Sequence, residues 1–151
     1  MTAAEEKTSN DAAELQRVLT RYIDSYHGYL QAAEVTDSTD LADAFREIAQ
    51  RRESIVHEMA QLIRRNGEKP DETSSPEAAI HRWWMRVRAG LTEEELRATL
   101  AECVRGEKEL RRTIQNAIEG GCLDTANARL LAEISEELHA AIATFEGALG
   151  H

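Results

Sequence analysis

The chain has 151 residues, of which 42% are hydrophobic and 30% are charged, and its formal net charge is −10. This length supports one domain with a single sizeable core, and the composition is that of a globular chain rather than a disordered one. The negative charge argues against general binding to nucleic acid or to an anionic membrane, because both need a basic surface.

Residues 1–10 are polar and acidic, and we expect them to form a flexible tail ahead of a single domain at residues 11–150. They lack the basic and apolar stretches of a signal peptide, and no later segment approaches the roughly 20 apolar residues of a membrane span. We therefore expect a cytoplasmic protein. The first predicted helix runs from Asp11 to about Glu34, because its apolar residues recur with the helical period of about 3.6.

A second helix is predicted to begin near Asp40, after the polar break at residues 36–39, and to end at Asn66 and Gly67 with Pro70 beyond. So short a break makes the first two helices an antiparallel hairpin.

The third predicted helix begins with a capping box, Thr92 to Glu95, and ends at Gly120. The fourth runs from about Asp124 to Leu149. The turn between them is also short, so they form a second antiparallel hairpin.

The segment between the hairpins, residues 66–91, contains a predicted short helix. A capping serine, a proline at the first position and a terminating glycine mark it: Ser75, Pro76 and Gly90. We expect Trp83 and Trp84 to hold this connector onto the bundle. A connector of this length can travel the full bundle, which makes the second and third helices parallel. The predicted fold is therefore all-α: a ferritin-like four-helix bundle of two antiparallel hairpins joined by a long crossover that contains a short helix.

Three motifs carry a resemblance to a known family: Gly28-Tyr29-Leu30-Gln31-Ala32-Ala33-Glu34, His81-Arg82-Trp83-Trp84-Met85 and Glu102-Cys103-Val104-Arg105-Gly106-Glu107. On these motifs the chain resembles a bacterial family of ferritin-like four-helix-bundle proteins of unknown function, found mainly in proteobacteria. The resemblance covers about residues 12–148. It implies a ferritin-like fold and a cytoplasmic bacterial setting, and it supplies no activity.

Glu107 lies at the centre of the apolar stripe of the third helix. At about 100° per residue, seven apolar residues fall within about 70° of it: Leu96, Leu100, Cys103, Val104, Leu110, Ile114 and Ile118. An ionised carboxylate buried there costs several kcal/mol unless it meets a cation, a set of hydrogen-bond donors or a proton. In a four-helix bundle, a metal ion is the first candidate for that cation.

A ferritin-type di-iron centre takes one Glu from each of two helices and a Glu-x-x-His from each of the other two, all facing the interior. The sequence offers pieces of such a set: Glu53 and His57 on the second helix, Glu107 on the third, and Glu136 with His139 on the fourth. All of these except Glu107 point about 100° or more from the centre of their apolar face. We therefore expect no metal cofactor, and iron or manganese is the alternative.

Arg52 lies near the apolar centre and the midpoint of the second helix, and Glu107 lies near the midpoint of the third. We expect these two helices to be parallel neighbours that pair the two side chains, because a guanidinium fork suits a carboxylate. Candidate hydrogen-bond donors at the same level are Tyr22 or Tyr26 on the first helix and Ser135 on the fourth. Arg111, one turn beyond Glu107, is a second candidate cation. The predicted buried polar cluster is Glu107, Arg52, Tyr22, Tyr26 and Arg111.

Three other interpretations of Glu107 stay open at this point. It could join a nearby His or Glu in a metal site, border a small-molecule pocket around the tyrosines, or be exposed because the helical register is shifted. The functional expectation is a bundle that is not an enzyme and has a structural, stress-related or interaction role. The alternative is a ferritin-like metal-binding oxidase or iron-handling protein. A homo-oligomer is a further expectation, and the sequence names no protein partner.

Overall fold

The computed structural model describes residues 2–73, 92–119 and 125–149. Within them the chain forms four α-helices: α1 (Ala3–Val35), α2 (Thr39–Arg65), α3 (Glu93–Glu119) and α4 (Thr125–Leu149). No strand occurs among these residues, and the predicted all-α fold is confirmed. The predicted short helix between Ser75 and Gly90, with Trp83 and Trp84, lies outside the described residues.

The first helix begins at Ala3, so the prediction that it begins at Asp11 is wrong. Residues 3–10 are helical in the structure, where we expected a tail. Alanine, glutamate and lysine fill much of this segment and neither glycine nor proline interrupts it, so its intrinsic helix propensity is high. The division of the chain into a tail and a domain at residues 11–150 stays a prediction.

The second helix keeps the bounds that its sequence predicts. Ser38 is the N-cap, and its hydroxyl accepts a hydrogen bond of 3.3 Å from the backbone N–H of Leu41, while Asp40 occupies the first turn. At the other end the chain leaves the helix at Asn66, and Gly67 adopts a positive φ of 85°. A glycine at this position reverses the chain without the steric cost that a side chain would bring.

The two hairpins meet as α1 against α3 and as α2 against α4. Among the described residues, no Cα atom of α2 comes within 8 Å of a Cα atom of α3, so these helices lie on a diagonal of the bundle. The expectation that they are neighbours is therefore wrong. Their parallel orientation is supported, because Met59 and Ile63 near the end of α2 share an apolar cluster with Ile114 near the end of α3.

The core consists of two apolar clusters, one toward each end of the bundle. The aliphatic cluster contains Leu15, Val18, Leu19, Tyr22, Ile23, Met59, Leu62, Ile63, Leu110, Ile114, Leu131, Ile134 and Leu138. The aromatic cluster contains Tyr29, Ala32, Ala33, Ala42, Phe45, Ile48, Ala49, Leu100, Cys103, Val104, Ala141, Ile142 and Phe145. Arg52 of α2 and Glu107 of α3 fall between the segments that supply the two clusters. A polar layer therefore crosses the middle of the core.

The beginning of the crossover is fixed to α1. The Gln16 side-chain amide donates a hydrogen bond of 2.9 Å to the carbonyl of Asp71 and accepts one of 2.8 Å from the backbone N–H of the same residue. Pro70 beside it is buried. Within the described ranges, no helix is long and apolar enough to cross a membrane.

Gly106 and Gly67 are predicted to respond in opposite ways to substitution by alanine. Gly106 is exposed in the middle of α3, and a Cβ added there meets no atom within 4 Å. We expect Gly106→Ala to raise the free energy of unfolding by about 0.5–1 kcal/mol, because alanine loses less backbone entropy. We expect Gly67→Ala to lower it by about 1–2 kcal/mol, because φ is positive. Urea unfolding measures both, and a destabilising Gly106→Ala would contradict an open surface at that position.

Candidate functional site

Arg52 and Glu107 form a two-pronged ion pair in the polar layer. Nη1 of Arg52 donates to Oε1 of Glu107 at 2.8 Å, and Nη2 donates to Oε2 at 2.5 Å. Arg52 is 0% exposed and Glu107 is 4% exposed. The side chains thus meet across the diagonal of the bundle in the planar geometry that a guanidinium and a carboxylate prefer. The interpretation in which a shifted register exposes Glu107 is ruled out.

Two tyrosines of α1 flank the Arg52 guanidinium. The hydroxyl of Tyr29 donates a hydrogen bond of 2.5 Å to Oε1 of Glu107. The guanidinium carbon lies 5.1 Å from the ring centroid of Tyr29 and 5.3 Å from that of Tyr22, within the range of cation–π attraction. Nη1 of Arg52 also donates to the hydroxyl of Ser25. The α1 helix therefore supplies rings and a hydroxyl, and α3 supplies the counter-charge.

Glu137 of α4 brings a second carboxylate to the cluster. Its Oε2 accepts a hydrogen bond of 3.3 Å from the Tyr22 hydroxyl. Its Oε1 lies 3.6 Å from Nε of Arg52 and 3.9 Å from Nε of Arg51, and none of these three buried atoms has a hydrogen-bond partner within the described structure. All four helices thus contribute to one polar cluster, which we call the central cluster: Tyr22, Ser25, Tyr29, Arg52, Glu107 and Glu137.

Burial and ion pairing set the protonation states in the central cluster. Burial alone lowers the pKa of Arg52, but Glu107 more than offsets this, so the pKa lies above its usual range and the guanidinium stays charged. Burial raises the pKa of Glu137, and the opposing effect of Arg52 only partly cancels it. Burial likewise raises the pKa of Tyr22 and of Tyr29, so both hydroxyls remain donors.

Two residues predicted for the cluster lie elsewhere. Tyr26 is only half-buried, and its hydroxyl is hydrogen-bonded to the Glu53 carboxylate. Its pKa is raised, mainly by burial and secondly by the negative charge of Glu53. Nη1 of Arg111 lies 3.4 Å from Nδ1 of His139 on the outer side of α3 and α4. Tyr22 and Tyr29 are seven residues apart and lie within about 20° of each other around the helix, whereas Tyr26 lies about 40–60° to one side. That rotation directs Tyr26 away from the guanidinium.

Sequence reasoning missed three members of the central cluster. Tyr29 lies in one of the three motifs that carry the family resemblance, but it was not predicted to donate a hydrogen bond to Glu107. Glu137 lies about 100° from Leu138, at the edge of the apolar stripe of α4, and its position one turn from two buried residues was the available signal. Ser25 gave no signal of its own, because a serine in a helix interior is common on any face.

The remaining metal candidates do not converge. Glu53 and His57 are exposed on α2, while Glu136 and His139 line a shallow surface groove between α3 and α4 that also contains Arg111 and Ser135. No hydrogen bond joins Ser135 to the central cluster among the described contacts. Within residues 2–73, 92–119 and 125–149, no three His, Cys, Asp or Glu side chains form a group that could hold a metal ion.

The comparisons with known proteins identify the family and the fold. A family model described as a domain of unknown function, DUF2383, matches residues 10–120 of this chain. No curated protein matches the sequence significantly.

Solved structures of ferritin-like proteins match along nearly the whole chain. One is Desulfovibrio desulfuricans bacterioferritin, described with its diiron site in different catalytic states: the TM-score is 0.81 at 16% identity, over 100% of this chain and 84% of that chain. A Mycobacterium smegmatis Dps matches with a TM-score of 0.76 at 18% identity, over 96% of this chain and 90% of that chain. The Dps of Vibrio cholerae O1, described as a member of the superfamily of ferritin-like diiron-carboxylate proteins, matches with a TM-score of 0.74 at 16% identity, over 96% of this chain and 92% of that chain. Such identities show the fold alone, which is ferritin-like.

The donor set at the centre of this bundle does not fit a di-iron centre. A guanidinium has donors and no acceptor, so it cannot ligate a metal, and Arg52 already binds both oxygens of Glu107. Burial raises the pKa of the nearby Cys103 thiol to about 12, which disfavours its metal-binding thiolate. Besides Glu107, Glu137 is the one other carboxylate that the described residues bring to Arg52.

Loss of the Glu107 charge is predicted to destabilise the fold strongly. Glu107→Gln keeps the side-chain shape but leaves the buried Arg52 without its main counter-charge, so we expect a loss of about 3 kcal/mol in the free energy of unfolding. Urea unfolding measures the change. Glu109→Gln, on the exposed face of the same helix, is the matched control and should change it by less than about 0.5 kcal/mol. Equal effects of the two substitutions would contradict the ion-pair assignment.

Glu137 is predicted to make stability fall as pH rises. Its pKa is raised in the folded state, so between the unfolded and folded pKa values the folded chain binds more protons than the unfolded chain. The free energy of unfolding therefore decreases through this window, which begins near the ordinary glutamate pKa. As pH rises through this window, we expect the free energy of unfolding of Glu137→Gln to increase relative to that of the unsubstituted protein. Urea unfolding from about pH 4 to about pH 8 measures the difference. The exposed neighbour gives the control, Glu136→Gln, and the same trend there would contradict the assignment.

Proposed function

This chain belongs to the DUF2383 family of domains of unknown function, and from that premise we propose that it is a ferritin-like bundle without di-iron chemistry. Its role is structural, stress-related or in protein interaction, and it is not an enzyme. The bundle interior serves stability, and recognition falls to the outer helix faces. This assignment leaves cytoplasmic location and self-association as predictions.

The two-pronged ion pair of Arg52 and Glu107 is the observation that supports this proposal most directly. A fixed positive charge lies at the middle of the core, between carboxylates of α3 and α4. A metal ion at the same place would meet a cation that stays protonated, and the like charges would repel each other in a medium of low polarity. The central cluster therefore supports a lost or absent metal centre, with an ion pair in its stead.

The alternative function is a ferritin-like metal-binding oxidase or iron-handling protein. The likeness in fold to a bacterioferritin with a diiron site favours it. It would require metal ligands that Arg52 does not block, and Glu107 would have to exchange its guanidinium partner for the metal.

Metal content and iron oxidation test the proposed function. We expect protein purified without chelators to contain far less than one iron or manganese per chain by elemental analysis. We also expect it to oxidise added Fe²⁺ no faster than buffer does, and Glu107→Gln should leave this background rate unchanged. Near-stoichiometric iron or manganese that is lost in Glu107→Gln would overturn the proposal and establish the alternative.

Self-association is tested separately by sedimentation velocity at several protein concentrations. We expect a species larger than the monomer, because ferritin-like bundles present long helix faces to one another. A monomer at all concentrations would contradict this expectation and would leave the proposal on metal chemistry unaffected.

A further inference from the structure

The surroundings of the Arg52 guanidinium form a box suited to a flat cation. Tyr22 and Tyr29 lie seven residues apart on α1, which separates their Cα atoms by about 10 Å along the helix. The guanidinium carbon lies over both rings, 5.3 Å from the ring centroid of Tyr22 and 5.1 Å from that of Tyr29. The negative potential of both rings thus acts on the same cation.

The acceptors of the box match the donors of a guanidinium group. The two carboxylate oxygens of Glu107 accept hydrogen bonds from Nη1 and Nη2 of Arg52, side by side. The Ser25 hydroxyl accepts a further hydrogen bond from Nη1. A fourth acceptor, Oε1 of Glu137, lies 3.6 Å from Nε of Arg52 and has no hydrogen-bond partner among the residues that the structure describes. A fork of acceptors selects a planar donor, whereas a spherical metal ion needs ligands on several sides.

We infer that the centre of this bundle is a cation-binding box that selects a guanidinium group over a metal ion, and that the chain fills it with its own Arg52. This inference rests on the proposed function in one respect, since both treat Arg52 as the resident cation. It goes further by assigning the box a chemical preference that remains when the Arg52 side chain is removed.

Removal of the Arg52 side chain opens the box to a free ligand. We expect Arg52→Ala to be less stable than the unsubstituted protein and to regain stability when millimolar guanidinium chloride is added, with sodium chloride at equal ionic strength as the reference. At about ten times the dissociation constant, binding should raise the melting temperature by about 3–6 °C, and the rise should saturate. Urea, which is planar but uncharged, and MnCl₂ should give no saturable rise.

Matched variants separate the box from general effects of guanidinium. Arg51→Ala removes the neighbouring, half-buried arginine and leaves the box filled, so guanidinium should not stabilise it. Arg52→Ala combined with Glu107→Gln lacks the acceptor fork and should not respond. Arg52→Lys keeps a charge but cannot match the fork, so it should be less stable than the unsubstituted protein.

Several results would overturn the inference. They are an equal response of Arg52→Ala and Arg51→Ala to guanidinium, a larger stabilisation by MnCl₂ than by guanidinium, and full stability of Arg52→Lys. If Arg52→Ala does not fold in buffer, the titration is done during refolding, and circular dichroism should show helix recovered with guanidinium and not with sodium. No recovery would count against the box. None of these outcomes changes the metal content of the unsubstituted protein, on which the proposed function is tested.

Discussion

The ion pair of Arg52 and Glu107 constrains the rest of the bundle. Desolvating the two charges costs several kcal/mol for each ion, and only near-ideal geometry with further hydrogen bonds offsets that cost. The pair joins α2 to α3, whose Cα atoms stay more than 8 Å apart in the described residues, so the spacing of these helices must match the combined reach of the Arg52 and Glu107 side chains. It also fixes the axial register, because a shift of one turn would separate the two forks by about 5 Å.

Most of the fold follows from patterns that lie within single helices. The apolar periodicity locates the helices, and Asn66 and Gly67 mark the end of the second one. Because the turns within each pair of helices are short, each pair must form an antiparallel hairpin. Which helices become neighbours does not follow, since periodicity defines the face that a helix buries and not the helix that it meets. The early start of α1 at Ala3 escaped prediction for a related reason. A polar segment with high helix propensity shows no apolar stripe, and it looks the same in sequence as a disordered tail.

The centre of the site was predictable because Arg52 and Glu107 both interrupt apolar stripes, where a buried charge needs a partner. The residues around this ion pair were not predictable in the same way. Tyr26 and Tyr29 differ by about 60° around α1, and the choice between them depends on the diagonal position of α3, which the sequence does not give. Glu137 lies at the edge of its stripe. Side chains at such edges extend either to solvent or into the core. Glu137 extends toward the core because α2, which carries Arg52, packs against α4.

The two ends of the core have different shapes. In the aromatic cluster Tyr29 stacks on Phe45 and Phe145, at centroid distances of 5.7 and 5.9 Å, and alanines take up many of the surrounding positions. If the second hairpin docked upside down, Glu107 would still lie near Arg52, because both are at mid-helix. The leucines and isoleucines of the aliphatic cluster would then crowd the rings, and voids would open at the other end. Side-chain volume, and not charge, therefore gives the bundle its single head-to-tail sense.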